Sequence, residues 1–330
     1  MSENLSGVAR TRLVVSIVAL CYAAACDRGQ PKGSAVRASP NVVAESQGAS
    51  LQNIVSVPVR GVRDLVENSA AAMSVRQPGV LFTINDSGND ALLFAIDTTG
   101  ANRGIWRVSG ASNIDWEAAS MGPCGGAQQA SSCVYIGDTG DNSGPRGAAA
   151  IYRVAEPTAD GLRGFVQAEV VRFTYPDQRH DVEAMYVAQN GDVVLITKRP
   201  LPDRSGHLRQ ALVFRVPASA WGAHDRVVAQ LTDSLPIVPG SVPFRLITDA
   251  SLAPDGRHLA VRTYAQVFIF ATDSVTGAVN HAVAPTVCDV ASLGEAQGEG
   301  VTWANATGRL VFTSEGRRAP LNLGDCSVPQ

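Results

Sequence analysis

Two short stretches, Asp115-Trp116-Glu117 and Asp181-Val182-Glu183, set carboxylates two residues apart. In a β-strand, residues i and i+2 share a face. Each pair then offers its oxygens side by side. Converging carboxylates raise one another's pKa unless a cation lies between them. An all-oxygen site of this kind suits calcium or magnesium. Asp115, Glu117, Asp181 and Glu183 are therefore the expected metal ligands, with calcium the expected cofactor. The competing reading is ion pairing with Lys198, Arg199, Arg262 and Arg317, or hydration. His180 stands beside the second pair and is the candidate general base.

Other chemistries lack their residues. The chain holds no GxSxG, no HExxH, no Walker loop and no GxGxxG opening a helix, which removes support from serine-hydrolase, zinc-protease and nucleotide readings. The loops NDSGND (85–90) and GDTGDNSG (137–144) do not match the EF-hand pattern. Their Asp, Gly and Asn content is also what tight turns need. A formal net charge of −3 makes no electrostatic case for nucleic acid.

The elements that carry these residues repeat. Glu67 begins ENSAAAMSVRQPGVLFTIND, and Asp115 begins DWEAASMGP, with CVYIGDTGDN following. Asp181 begins DVEAMYVAQNGDVVLITKR, Asp249 begins DASLAPDGRHLAVRTY, and Glu299 begins EGVTWANATGRLVFTSEG. Each unit reads as an acidic residue, a short strand, a turn and a second apolar strand. Asn190-Gly191 is a two-residue hairpin turn, and Val193 to Ile196 is its apolar partner strand. The acidic markers at 67, 117, 183, 249 and 299 lie 50, 66, 66 and 50 residues apart.

Further strands fall between the markers. Residues 91–97, 149–154, 210–216 and 266–271 read as third strands, and 104–109, 165–175 and 226–231 as fourth strands. No long stretch keeps a helical period. The expected fold is all-β: a β-propeller of four-stranded antiparallel blades, five preferred and six possible. The last repeat lacks a fourth strand after Gly316, and residues 54–59 are expected to supply it and close the ring. The four tryptophans read as packing between blades.

In a propeller the first strand of each blade lines the central channel, beside the tail of the second. One mouth is then expected to gather Glu67, Asp86, Asp138, Lys198, Asp249, Arg262, Glu299 and Arg317 as ligand-facing residues, around the metal ligands and His180. On this reading the charges begin a strand because that end opens into a solvated channel.

At INDSGN, DWEA, YIGDTGDN, DVEAM, TDASLAPDGR and QGEGV the sequence resembles a broad group of secreted bacterial β-propeller proteins. The resemblance covers roughly residues 51 to 318. More distantly it is similar to calcium-dependent lactonase and esterase propellers and to phytase-like propellers. Those hold a metal in the central channel with carboxylates and amides from inner strands, which is what the resemblance implies here. This chain lacks the full set of their ligand motifs, so no catalytic residue is carried over.

The N-terminus reads as a targeting segment. Arg10 and Arg12 precede an apolar run from Leu13 to Ala25, too short for an ordinary membrane span. It ends in Ala23-Ala24-Ala25-Cys26, which resembles a lipobox with Cys26 as the lipidated residue. Residues 1–26 are the expected signal peptide, 27–50 a flexible tether and 51–330 the propeller. The expected location is a bacterial membrane on its extracytoplasmic side; secretion or release to the periplasm is the alternative. An oxidising compartment would pair the remaining cysteines, Cys124 with Cys133 and Cys288 with Cys326. The expected function is binding of a small ligand or envelope protein at the acidic mouth, with the membrane touched only by the lipid. A calcium-dependent hydrolase of an ester, lactone or phosphoester is one alternative, and an envelope-complex scaffold the other.

Overall fold

The computed structural model describes residues 48–125, 132–141, 147–198, 210–223, 226–237 and 245–329. The expected leader, Cys26 and Arg199 lie outside them. Among the described residues there is no α-helix, only two 3-10 turns, Ala218–Ala220 and Ala291–Leu293. Among the described residues no helix is long and apolar enough to cross a membrane.

Among the described residues twenty-three strands form five sheets, which are the five blades of a propeller. The inner strands, in order, are Ala72–Met73, Trp116–Pro123, Val182–Val187, Ile247–Leu252 and Gly298–Trp303. Each neighbours the next, and the fifth neighbours the first. Blade 3 shows why the sequence builds such a unit. Gly191 takes a φ of 85°, which glycine adopts freely, and turns Val182–Val187 back onto Val193–Thr197. Both strands are buried throughout, so their β-branched and apolar side chains pack on two faces.

The core is divided into five interleaved layers. Phe82, Trp116 and Ile136 pack between blades 1 and 2. Tyr135, Met185 and Phe214 fill the next gap. Ile196, Leu259 and Phe270 follow, then Ile269, Trp303 and Phe312. Leu81, Phe94 and Leu321 join blade 5 back to blade 1. Each blade is thus stabilised by its two neighbours, as repeat architectures require.

Gln52–Val57 pairs antiparallel with Leu321–Asp325 and is the fourth strand of blade 5, as expected for the N-terminal segment. Pro58 lies just past its end. The expectation of four strands per blade is exceeded in three blades. The stretch 165–175, expected as one strand, is two. Arg163–Gln167 runs parallel to the outer strand of blade 1, whereas Glu169–Thr174 belongs to blade 2. Val227–Val228 adds to blade 2 in the same way. Ala49–Ser50, assigned by composition to the tether, lies parallel to Cys288–Asp289 at the edge of blade 4.

Both expected disulfides are present. Cys124–Cys133 staples the first hairpin of blade 2. Cys288–Cys326 ties the outer strand of blade 4 to the tail that follows blade 5.

Candidate functional site

The acidic positions sit on irregular backbone. Pairing runs Trp116↔Asp138, then Ala118↔Gly137, so Glu117 is an extra residue in the inner strand. The same insertion falls at Glu183, between Val182↔Thr197 and Ala184↔Ile196. It falls at Thr248 in blade 4 and within Glu299–Gly300 in blade 5. In blade 1, Asn68 bridges to Asn85 and Ala72 pairs with Phe82, which leaves one extra residue there too. An inserted residue bends the strand and re-aims a side chain.

Aligning the blades on this insertion gives an inner ring of Ser69, Glu117, Glu183, Thr248 and Glu299. Two residues earlier stand Glu67, Asp115, Asp181, Leu246 and Gln297. Facing them, just past the second strands, are Asp86, Thr139, Lys198, Tyr264 and Glu315. Eight of these fifteen positions carry carboxylates and one, Lys198, an ammonium. The ring the sequence suggested was out of register at two blades. Glu67 corresponds to Asp115, not to Glu117. It is exposed and accepts a hydrogen bond from Asn89 Nδ2 at 2.6 Å. Asp249 stands one residue after the insertion. It points between blades, where its carboxylate accepts the backbone N–H groups of Ala71 at 3.3 Å, Ala250 at 2.8 Å and Val301 at 2.8 Å.

The inner ring is not the open, solvated channel expected. Glu117, Glu183 and Glu299 are each about 97% buried (3%, 2% and 3% exposed). Glu117 accepts from Ser69 Oγ at 3.0 Å. Burial, then the charges of Glu183, Asp86 and Asp115, push its pKa up to about 11. Lys198 Nζ lies 2.6 Å from Glu183 Oε1. Burial works against the ammonium, but Glu183, Tyr264 and Asp181 outweigh it and hold Lys198 protonated. Burial raises Glu183 against the pull of Lys198. Glu299 accepts from Gln297 Nε2 at 2.8 Å and from the Tyr264 hydroxyl at 3.4 Å, and burial raises it too. Glu315, at the rim, is pushed up to about 7 by burial and by the charges of Glu299, Asp86 and Glu67.

Three of these carboxylates converge. One oxygen from each of Asp86, Asp115 and Glu117 lies within 4.8 Å of the others. A Cβ on Gly140 would stand 2.6 Å from both Asp115 Oδ2 and Glu117 Oε1, so any side chain there would have to push the pair aside. This donor set is all oxygen and suits a hard divalent cation. Of the expected metal ligands, Asp115 and Glu117 belong to the group and Asp86 joins them. Glu183 is tied to Lys198 instead, and Asp181 lies outside the group.

The remaining expected residues are dispersed. Asp138 is buried and accepts the N–H of Asp115 at 3.0 Å, which fixes the approach to the group. Arg262 is fully buried between blades 4 and 5, not presented at the mouth. It donates to Gly300 O at 2.7 Å and Thr313 O at 3.0 Å and pairs with Glu295. Arg317 is exposed and lines an outer cavity with Arg63 and Arg107. His180 is bound to Asp177 and lines a separate cavity that holds none of the mouth carboxylates. Sequence reasoning missed Ser69 and Thr248, whose only signal is their place at the inserted residue.

The opposite end of the ring has another character. A cavity of about 260 Å³ there is lined by the far ends of all five inner strands, among them Met73, Met121, Leu252 and Trp303, and by no carboxylate.

No family model matches the sequence, and no curated protein does. Solved structures are similar over most of the propeller. A gluconolactonase of Xanthomonas campestris is 15% identical, with 84% of this chain and 97% of that chain covered and a TM-score of 0.43. A glutaminyl cyclase of Myxococcus xanthus is 12% identical, with 84% and 99% covered and a TM-score of 0.48. The PQQ domain of a pyranose dehydrogenase from Coprinopsis cinerea is 8% identical, with 84% and 96% covered and a TM-score of 0.43. At these identities and scores the likeness carries no argument about chemistry.

Proposed function

We propose that this protein binds a divalent cation of the calcium type at its acidic mouth and uses it to hold an oxygen-bearing ligand. The convergence of Asp86, Asp115 and Glu117 within 4.8 Å carries the reading. Carboxylates this close, with Glu117 driven toward its protonated form by burial and its neighbours, are relieved by a cation. Such a cation would draw in carbonyl, carboxylate or phosphate oxygens. Lys198, held protonated beside the group with 14% of its side chain exposed, would take up the remaining negative charge. The disulfides suit an oxidising compartment. Anchoring through a lipid on Cys26 belongs to the same proposal.

Thermal unfolding of the purified protein with calcium, with magnesium and with chelator tests this. A ligand that binds only the folded state raises the melting temperature as its concentration rises. Calcium is expected to raise it in the wild type and not in Glu117→Gln. No response to either metal overturns the reading.

A second reading, metal-dependent hydrolysis of an ester, lactone or phosphoester, is favoured by one observation. Glu315 is pushed to about 7 at the rim of the same mouth, where a carboxyl of that pKa can exchange a proton with water. Turnover of such substrates, abolished by chelator and by Glu315→Gln, distinguishes it from binding alone.

A further inference from the structure

Between blades 2 and 3 lies a cavity of about 190 Å³, lined among the described residues by Thr139, Gly140, Ala149, Tyr175, Arg179 and His180. His180 is 4% exposed. Its ring packs against Tyr175, with centroids 5.0 Å apart, and Phe214, at 4.8 Å. Nε2 lies 2.9 Å from Asp177 Oδ1. Nδ1 is buried and has no hydrogen-bond partner. Buried polar atoms are nearly always bonded, so a solitary one beside a cavity marks what the cavity lacks.

The chemistry of the pair says what that is. A carboxylate can only accept, so the hydrogen between His180 and Asp177 sits on Nε2. In the neutral ring Nδ1 is then an acceptor. To that neutral ring the missing partner is a donor, an O–H or an N–H. The described walls are mostly carbon, from Ala148, Ala149, the Tyr175 ring and the methyls of Thr139 and Thr174, with Gln178 and Asp141 among their polar groups. The ion pair between Arg179 and Asp141, at 2.7 Å, occupies the polar edge. A cavity of about 150 Å³ already admits a benzene-sized guest.

We propose that this cavity binds a small apolar molecule or group bearing one hydroxyl, of the phenol class, whose O–H donates to His180 Nδ1. The site is separate from the mouth and needs no cation. The two meet at Gly140, which walls the cavity and lies against Asp115 and Glu117.

The test titrates the full chain, carrying ¹⁵N-labelled histidine, with phenol and with benzene, in chelator and again in calcium. Phenol is expected to bind saturably in both conditions and to move the Nδ1 resonance of one histidine. That resonance is expected to be missing in His180→Phe, which keeps the ring stack and removes both nitrogens. Phenol is expected to bind His180→Phe roughly tenfold more weakly, as loss of one hydrogen bond predicts. Benzene should bind both proteins alike, and the wild type more weakly than phenol. Absence of saturable phenol binding, equal binding of phenol and benzene, or undiminished binding to His180→Phe overturns the proposal. Should His180→Phe not fold, the wild-type resonance and the phenol-to-benzene ratio decide alone. Failure of calcium binding leaves this result untouched, because the chelator arm does not depend on it.

Discussion

Asp249 receives the backbone N–H of Val301 at 2.8 Å and of Ala71 at 3.3 Å, so one carboxylate from blade 4 bonds blades 5 and 1. Together with Ala250 it accepts three N–H groups while fully buried. Asp249→Asn replaces one accepting oxygen with a donor that faces donors. It is expected to cost about 1–3 kcal/mol of stability, the penalty of an unsatisfied buried group. Urea unfolding measures it. Calcium should still stabilise the folded variant, since Asp249 is not at the mouth.

Glu117 should make the metal-free protein weaken as pH rises. Its folded pKa is raised from 4.5 to about 11 by burial first and by neighbouring charges second. Below 4.5 both folded and unfolded chains hold the proton, and no stability difference arises. Above it the unfolded chain releases the proton and the folded chain keeps it, so stability is lost progressively through the window up to about 11. Glu117→Gln mimics the protonated form and has nothing to release. In chelator the variant is expected to match the wild type near pH 4.5 and to melt higher at pH 8. Melting temperature against pH, with both proteins side by side, checks the divergence.

Arg262 and Glu295 form a pair with 0% and 6% of their side chains exposed. Arg262→Met removes the cation, strands Glu295 and frees the carbonyls of Gly300 and Thr313. Breaking one side of a buried pair costs about 3–5 kcal/mol. Gly298 belongs to the same arrangement, because any side chain there would collide with the guanidinium. Denaturant unfolding of Arg262→Met is expected to show the full loss. The double variant Arg262→Met, Glu295→Leu should recover much of it.

The two disulfides should differ in worth. Cys288–Cys326 closes a sequence separation of 38 residues and Cys124–Cys133 one of 9. Loop-closure entropy predicts roughly 4 kcal/mol for the first and roughly 2.5 kcal/mol for the second. Replacing each pair with serines and comparing urea midpoints tests the order.

Much of this architecture was legible in the sequence. Asn190-Gly191 announced its hairpin, the buried runs announced their strands, and the lack of a fourth strand after Gly316 pointed to the N-terminal segment. The register at the mouth was not legible. Trp116–Ser120 is buried on both faces, so no alternation of polar and apolar residues reveals an inserted residue at Glu117. Acidic residues alone then aligned the blades. They drew in Glu67, two positions early, and Asp249, one position late, and passed over Ser69 and Thr248. The parallel outer strands were hidden for a related reason. Arg163–Gln167 pairs with blade 1 although it follows blade 2's third strand, and no local pattern encodes a partner chosen by proximity across a gap.

Blade 5 is built from both ends of the chain, and that imposes an order of events during synthesis. Gln52–Val57 leaves the ribosome early and has no partner strand until Leu321–Asp325 emerges. Four blades can therefore be assembled while the circle still gapes. The thiol of Cys326 arrives later still, one residue beyond that closing strand, to meet Cys288. The bond between them is thus a clasp fastened after the circle is drawn shut, and its appearance on a growing or refolding chain would time that closure.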